Sequence, residues 1–223
     1  MAIAFDAVSN LNGAPSSSLS WSHTCTGADR ILIVGIAQRN GRSVTAITYN
    51  GVAMTLIGTS GDTFTTISMY YLLAPATGAN TISITFSSSD SDNNGMAVSY
   101  TGVHQTTPLG TFVSASNPGS GSTTPSVTAS SASGELVVDT VSVQSSATQS
   151  ITVGSGQTQR NNVIGGATSS EVVGGMSEEA GAASVVMSWT AASSARWNIG
   201  AVPLKPSVAA SAKLVACVDD DGE

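Results

Sequence analysis

Ala28-Asp29-Arg30-Ile31-Leu32-Ile33-Val34-Gly35-Ile36-Ala37-Gln38 and Ser133-Gly134-Glu135-Leu136-Val137-Val138-Asp139-Thr140-Val141-Ser142-Val143-Gln144 decide the fold. Each is a turn, a charged residue and then a β-branched apolar run that ends on Gln. Each follows a short alternating segment, Leu19-Ser20-Trp21 in one case and Ser126-Val127-Thr128 in the other. Later, Ile82-Ser83-Ile84-Thr85-Phe86 and Gly95-Met96-Ala97-Val98-Ser99-Tyr100 find counterparts in Ser184-Val185-Val186-Met187-Ser188-Trp189 and Trp197-Asn198-Ile199-Gly200-Ala201-Val202-Pro203-Leu204. One strand order used twice is the signature of a duplicated β unit.

Working outward, short alternating runs split by Gly, Asn, Pro and Ser predict strands. In the first half they fall at 3–8, 17–22, 30–38, 44–49, 52–57, 64–73, 80–86 and 95–101. In the second they fall at 111–115, 125–130, 135–143, 150–158, 170–175, 183–189 and 197–204. No amphipathic helix is legible. Asn50-Gly51 between two alternating runs predicts a type I′ hairpin, because both central residues tolerate positive φ. Asn117-Pro118-Gly119-Ser120-Gly121-Ser122 reads as the linker between the copies. A single open sheet of six strands would leave an apolar face wet, so two sheets must pack together. The expected fold is all-β: a double-layer antiparallel β-sandwich, jelly-roll-like, built from an internal duplication. Its halves span about 1–116 and 123–206, and a tail or arm follows at 207–223. Two tandem immunoglobulin-sized sandwiches are the alternative.

The 223 residues contain 9% charged side chains and carry a net charge of −7. Ser, Thr, Gly and Ala fill the space that charge usually occupies, so the solvent face is hydroxylated. An acidic chain whose only basic group is Arg30, Arg39 and Arg42 predicts no nucleic-acid partner. No apolar run reaches the roughly 18 residues of a membrane span, which predicts no membrane partner. The first residues lack a basic and an apolar signal region, so synthesis in the cytoplasm is expected. A surface of extracellular character on a chain made in the cytoplasm fits a virion protein, assembled in the host cytoplasm. An extracellular or cell-surface location is the alternative.

Asp90-Ser91-Asp92-Asn93-Asn94-Gly95 resembles the opening of a calcium loop, with Asp90, Asp92 and Asn94 as ligands. Thr101 stands where that loop needs a bidentate carboxylate, so a plain hairpin turn competes and no cofactor is expected beyond a weak calcium site. His23 with Asp29 and a serine could form a triad, but serine is too abundant here for the coincidence to inform. His104 reads as a loop residue at a strand end. Glu178 and Glu179 are adjacent and point to opposite faces of a strand, and Glu171 could meet Asp139 only by an accident of fold. No enzyme is expected. Trp189 and Trp197 are the pair to test as a sugar-stacking platform. Cys25 and Cys217 could bridge only if the tail returns to the start of the sandwich.

Thr48-Tyr49-Asn50-Gly51-Val52-Ala53-Met54-Thr55, Tyr71-Leu72-Leu73-Ala74-Pro75-Ala76-Thr77-Gly78-Ala79-Asn80-Thr81 and Tyr100-Thr101-Gly102-Val103-His104-Gln105-Thr106-Thr107-Pro108-Leu109-Gly110 together resemble a recurring β-sandwich domain of tailed-phage virion proteins and bacterial surface proteins. The resemblance covers about 3–206 and implies a non-enzymatic structural or adhesive module. The expected role is a decoration or cement protein, a homo-oligomer bound to other virion proteins such as the major capsid protein. A carbohydrate-binding module and a filament subunit joined by strand addition are the alternatives. Ile3, Phe5, Leu214, Val215 and Val218 are the residues expected to contact neighbours.

Overall fold

The computed structural model describes residues 1–13, 16–90, 92–145, 149–164 and 171–208. Among them the chain is all-β and antiparallel. The first half forms β1 (Ala4–Gly13), β2 (Ser16–Cys25), β3 (Ile31–Arg39), β4 (Val44–Tyr49), β5 (Val52–Ala53), β6 (Thr55–Gly61), β7 (Thr65–Leu73), β8 (Gly78–Asp90) and β9 (Asn93–Thr101). The second forms β10 (Val113–Ser122), β11 (Ser126–Ala129), β12 (Leu136–Ser145), β13 (Ile151–Val153), β14 (Thr158–Ile164), β15 (Glu171–Ala180), β16 (Val185–Ala191) and β17 (Ala195–Leu204).

The duplication is written in the topology. The first half makes an inner sheet, β1-β9-β3-β7-β6, and an outer sheet, β2-β8-β4-β5. The second makes an inner sheet, β10-β17-β12-β15-β14, and an outer sheet, β11-β16-β13. Apart from β5, which has no counterpart, these are strand for strand the same order, with the two sheets of each half interleaved along the chain as in a jelly roll. The two-layer sandwich is therefore present twice, and the two inner sheets pack face to face. Four layers enclose three cores. Leu32, Val34 and Ile36 fill the first with Trp21, Ile82 and Ile84. Ile31, Ile33, Met69, Met96 and Tyr100 fill the middle one with Val138, Val172, Met176 and Val202. Val137, Val141 and Ile199 fill the third with Met187 and Trp189.

This arrangement explains the sequence signal of the long apolar runs. β3, β9 and most of β17 are buried on both faces, so alternation disappears there. The outer strand β2 alternates strictly because one of its faces meets water. The expectation of one sandwich shared between the copies is corrected in its layer count: each copy closes its own sandwich, and the faces left over pack together.

The middle core has near two-fold symmetry. Equivalent elements meet in both senses: β7 with β12 and β3 with β15, β7 with β17 and β9 with β15, β6 with β17 and β9 with β14. β3 lies against its own equivalent β12 near the axis. There a Cβ on Gly35 would stand 2.4 Å from Thr140 Oγ1 and 3.1 Å from Met176 Sδ.

Three local expectations change. The strand read at 52–57 bends at Met54 into β5 and β6, which belong to different sheets. Asn117–Ser122 is not a linker but the bulged end of β10, paired with β17. The halves divide between Thr101 and Val113. Of the run 150–158 only Ile151–Val153 forms a strand, β13; a turn follows, and the polar edge strand β14 begins at Thr158. By contrast, Asn50 and Gly51 take φ of 50° and 76°, as the hairpin requires.

Register shifts fall at all four edge strands of the inner sheets, in β1 with β9, β6 with β7, β10 with β17 and β14 with β15, and in the outer sheet of the first half in β2 with β8 and β4 with β8. The central pairings β3–β7, β3–β9, β12–β15 and β12–β17 run without a shift. Bulged edges discourage pairing with another chain.

Candidate functional site

The side chains with chemical potential gather in three buried places, one per core. In the first half the inner sheet is tied to the outer one through His23, which is 1% exposed. Trp21 Nε1 donates to Ser9 Oγ at 2.9 Å, and Ser9 Oγ lies 2.7 Å from His23 Nδ1. His23 Nε2 lies 3.1 Å from Ser99 Oγ, which donates to Asp6 Oδ2 at 2.8 Å. Because Ser9 accepts from Trp21 and Ser99 donates to Asp6, one direction satisfies every link. It runs Trp21, Ser9, His23, Ser99, Asp6, and it places the imidazole proton on Nε2. Asp6 also accepts from the Thr26 amide at 2.9 Å and from its hydroxyl. Burial raises the Asp6 pKa, but these bonds outweigh it and hold the carboxyl below its usual value. Burial drives the His23 pKa down to about 4, against a smaller upward pull from Asp6. A base that weak is poorly matched to deprotonating Ser9 at neutral pH. What the chain of bonds does is pin β1, β2 and β9 together. Its carboxylate is Asp6; Asp29, the triad partner suggested by sequence, sits in a turn at φ 50°.

In the second half Asp139 is fully buried. Its Oδ1 accepts from the Ser177 amide at 2.7 Å and hydroxyl at 2.8 Å, and its Oδ2 accepts from Trp189 Nε1 at 2.7 Å. Burial still outweighs these bonds and lifts its pKa to about 7.

The third place is the seam between the inner sheets. Arg160 pairs with Glu178, and its guanidinium lies 3.8 Å over the ring of Phe5. The Tyr100 hydroxyl is pushed well above its ordinary pKa by burial and then by the Glu178 charge. Asn161 donates to the carbonyls of Ser9 (3.4 Å) and Ala97 (3.3 Å) and accepts from Asn10 (3.0 Å). Replacing Asn161 by alanine orphans groups on both halves. It should cost about 2 kcal/mol, read as a lower urea midpoint with an unchanged slope.

The other residues singled out by sequence are scattered. Glu178 faces the middle core and Glu179 the opposite side, near Gly156. Asp139 also faces away from Glu178, so these carboxylates share no cleft. Trp189 and Trp197 are buried, 1% and 8% exposed, which corrects the sugar platform: both are core fillers. Asp92 is buried. The Asn94 amide donates to the carbonyls of Val172 (2.7 Å) and Val163 (3.3 Å) across the middle core. The Asp90 side chain and Ser91 lie outside the described residues. Among the described residues no three His, Cys, Asp or Glu side chains are grouped to hold a metal. His104 Nδ1 accepts from the amides of Thr106 and Thr107 and so braces its own loop. Arg30 donates to the carbonyls of Pro75 and Gly27. Cys25 is a buried thiol whose pKa burial raises; Cys217 lies outside the described residues.

Of the expected contact residues, Ile3 packs against the middle core and Phe5, 37% exposed, shields Arg160. Leu214, Val215 and Val218 lie outside the described residues. The Met1 amino group donates to the Ser207 carbonyl at 2.7 Å, and Val103 bridges Pro206, so Ser207 lies beside the N-terminal residue. A shallow polar cavity of about 440 Å³ is lined by Asn40, Gly41, Thr59, Asp62 and Thr66. Asp62 there spends Oδ1 on the amides of Phe64 and Thr65. No helix among the described residues is long and apolar enough to cross a membrane. No family model, curated protein or solved structure matches the chain.

Proposed function

We propose that the protein is a non-enzymatic structural component of a virus particle, a decoration or cement protein that acts as a homo-oligomer against other virion proteins such as the major capsid protein. The observation that carries this reading is the four-layer stack with His23, Asp139 and Glu178 enclosed between its layers. These groups are placed to rigidify and poorly placed to meet a substrate. A cement protein needs a stiff body and a contact of about 1,000 Å² or more. Surfaces of Ser, Thr and Ala suit that contact, because few ion pairs must be desolvated in forming it. Assembly would take place in the host cytoplasm. The bulged edges of the two inner sheets favour this reading over a filament built by strand addition there, and the burial of Trp189 and Trp197 favours it over a stacking platform for sugars.

Light scattering on the full chain, and on a chain ending at Ser207, tests the proposal. A discrete closed oligomer is expected. Open-ended growth that disappears on truncation would replace it with the filament. A monomer in both cases would remove the homo-oligomer.

A further inference from the structure

Asparagine is followed by glycine four times, at Asn12-Gly13, Asn40-Gly41, Asn50-Gly51 and Asn94-Gly95. The pair is chemically labile. Glycine has no Cβ to shield its own amide nitrogen, and that nitrogen can attack the carboxamide carbon of the asparagine before it. The fold gives the four pairs different surroundings and so sets which of them reacts. Two are locked in strands. Asn12 donates to the Ile164 carbonyl at 2.6 Å, and Gly13 is paired with Asn93. Asn94 is fully buried and donates to the carbonyls of Val172 and Val163, while Gly95 is paired on both sides, with Leu11 and with Ile36. Asn40-Gly41 is a turn, with φ of 63° and 58°, but it is clamped. The Asn40 amide donates to the Phe64 carbonyl at 2.9 Å, and a Cβ on Gly41 would stand 2.7 Å from the Asp62 carbonyl oxygen.

Asn50-Gly51 is held least. Both residues are exposed, and nothing lies within 4 Å of a Cβ placed on Gly51. Among the described residues the Asn50 side chain makes no hydrogen bond. Its amide donates to the Thr81 carbonyl at 2.9 Å, which anchors only the near arm of the hairpin. The far arm is β5, two exposed residues that pair with Thr48 and Tyr49 alone. The closed hairpin is protective: in a type I′ turn ψ at the first central residue is about +30°, which carries the Gly51 nitrogen away from the Asn50 side chain. An arm so short and so exposed opens at little cost, whereas freeing Asn12 or Asn94 means unpairing an inner sheet. We infer that Asn50 is a site of spontaneous deamidation, reached through the opening of β5. The Gly51 nitrogen bonds to Asn50 Cγ, the Cγ–Nδ2 bond breaks, and ammonia leaves with the proton from the Gly51 nitrogen. Water then opens the cyclic imide at one of its two carbonyls. One opening gives aspartate. The other gives isoaspartate, in which the main chain runs through the side-chain carbon. No oxidant or reductant takes part. Either product adds a negative charge to the net −7. Isoaspartate also puts an extra carbon into a two-residue loop, so Tyr49 and Val52 lose their pairing and β5 no longer covers the edge of β4.

The test is incubation of the full chain in heavy-oxygen water at mildly alkaline pH, followed by peptide mapping in a mass spectrometer. The label enters with the water that opens the imide, so acid formed during handling is not counted. Labelled acid at position 50 should form at least about tenfold faster than at 12, 40 or 94, as separable aspartate and isoaspartate peptides. A synthetic peptide of residues 46–55 gives the rate with no hairpin to open. Val52→Pro denies the hairpin a ladder donor at an exposed position. It should bring labelling at position 50 close to the peptide rate and leave the other three sites unchanged. Equal rates at the four sites would overturn the inference, as would a position 50 that stays unlabelled while the peptide is converted. An unchanged rate in Val52→Pro would overturn the route through β5.

Discussion

Gly35→Val should destabilise the protein by about 3 kcal/mol, although local reasoning gives the opposite sign. Valine favours strands and glycine weakens them, and Gly35 lies in the middle of β3. The reason is the middle core. A Cβ at Gly35 meets Thr140 Oγ1 at 2.4 Å, Thr140 Cγ2 at 2.9 Å and Met176 Sδ at 3.1 Å. Thr140 is itself in a central strand buried on both faces, so neither strand can retreat. Because Gly35 and Thr140 are equivalent residues of the two copies, exchanging them should restore much of the loss: Gly35→Thr combined with Thr140→Gly keeps the volume on the axis constant. The single and double variants should be strongly non-additive, as contacting residues are. Urea unfolding of the set is the measurement. A Gly35→Val variant with an unchanged midpoint would mean that the inner sheets do not meet at β3 and β12.

The second large effect is a pair of opposed pH dependences. His23 has a folded pKa of about 4 against 6.5 unfolded. It is neutral when folded, so its contribution is complete above pH 6.5 and is lost as pH falls toward 4. Asp139 has a folded pKa of about 7 against 3.8 unfolded. Its contribution is complete below pH 3.8 and is lost as pH rises toward 7. At about 1.4 kcal/mol per pKa unit, the swings are about 3 kcal/mol for His23 and about 4 kcal/mol for Asp139. Between pH 4 and 6.5 they nearly cancel, and the unsubstituted protein should show almost flat stability. His23→Gln removes one arm and should become less stable as pH rises. Asp139→Asn removes the other and should become more stable as pH rises to 6.5, on top of a loss at every pH. That loss arises because an amide cannot accept from both Ser177 and Trp189. Asp6, whose carboxyl is held low, acts below this window. Parallel stability profiles for all three proteins between pH 4 and 7 would refute the assignment.

The polar residues of the cores show where sequence stops informing. His23, Asp6, Ser9 and Ser99 are ordinary members of alternating strands, and nothing in their spacing marks them as partners. Ser99 lies 76 residues from His23. They meet because β1, β2 and β9 form one corner of the sandwich. Asp139 was open to a sharper reading: a lone carboxylate in Leu136-Val137-Val138-Asp139-Thr140-Val141 must find donors if that strand is buried. Trp189, with a single N–H to satisfy, was a candidate donor. β14 is not legible in the sequence because Gln159, Arg160, Asn161 and Asn162 have the composition of a loop, yet Arg160 and Asn161 serve the seam between the halves.

The sequence by itself determined the all-β class, the duplication, the Asn50-Gly51 hairpin and most strand positions. These follow from period, branching and turn chemistry within a few residues of each other. Only the tertiary structure decided that each copy closes its own sandwich, that the inner sheets stack about a pseudo-dyad, and that the titratable groups are enclosed. Two apolar faces on a strand show that something covers both, not what covers them. That choice rests on the match of one copy's inner face to the other's, down to a glycine that admits a threonine, and such a match exists only between residues a hundred positions apart.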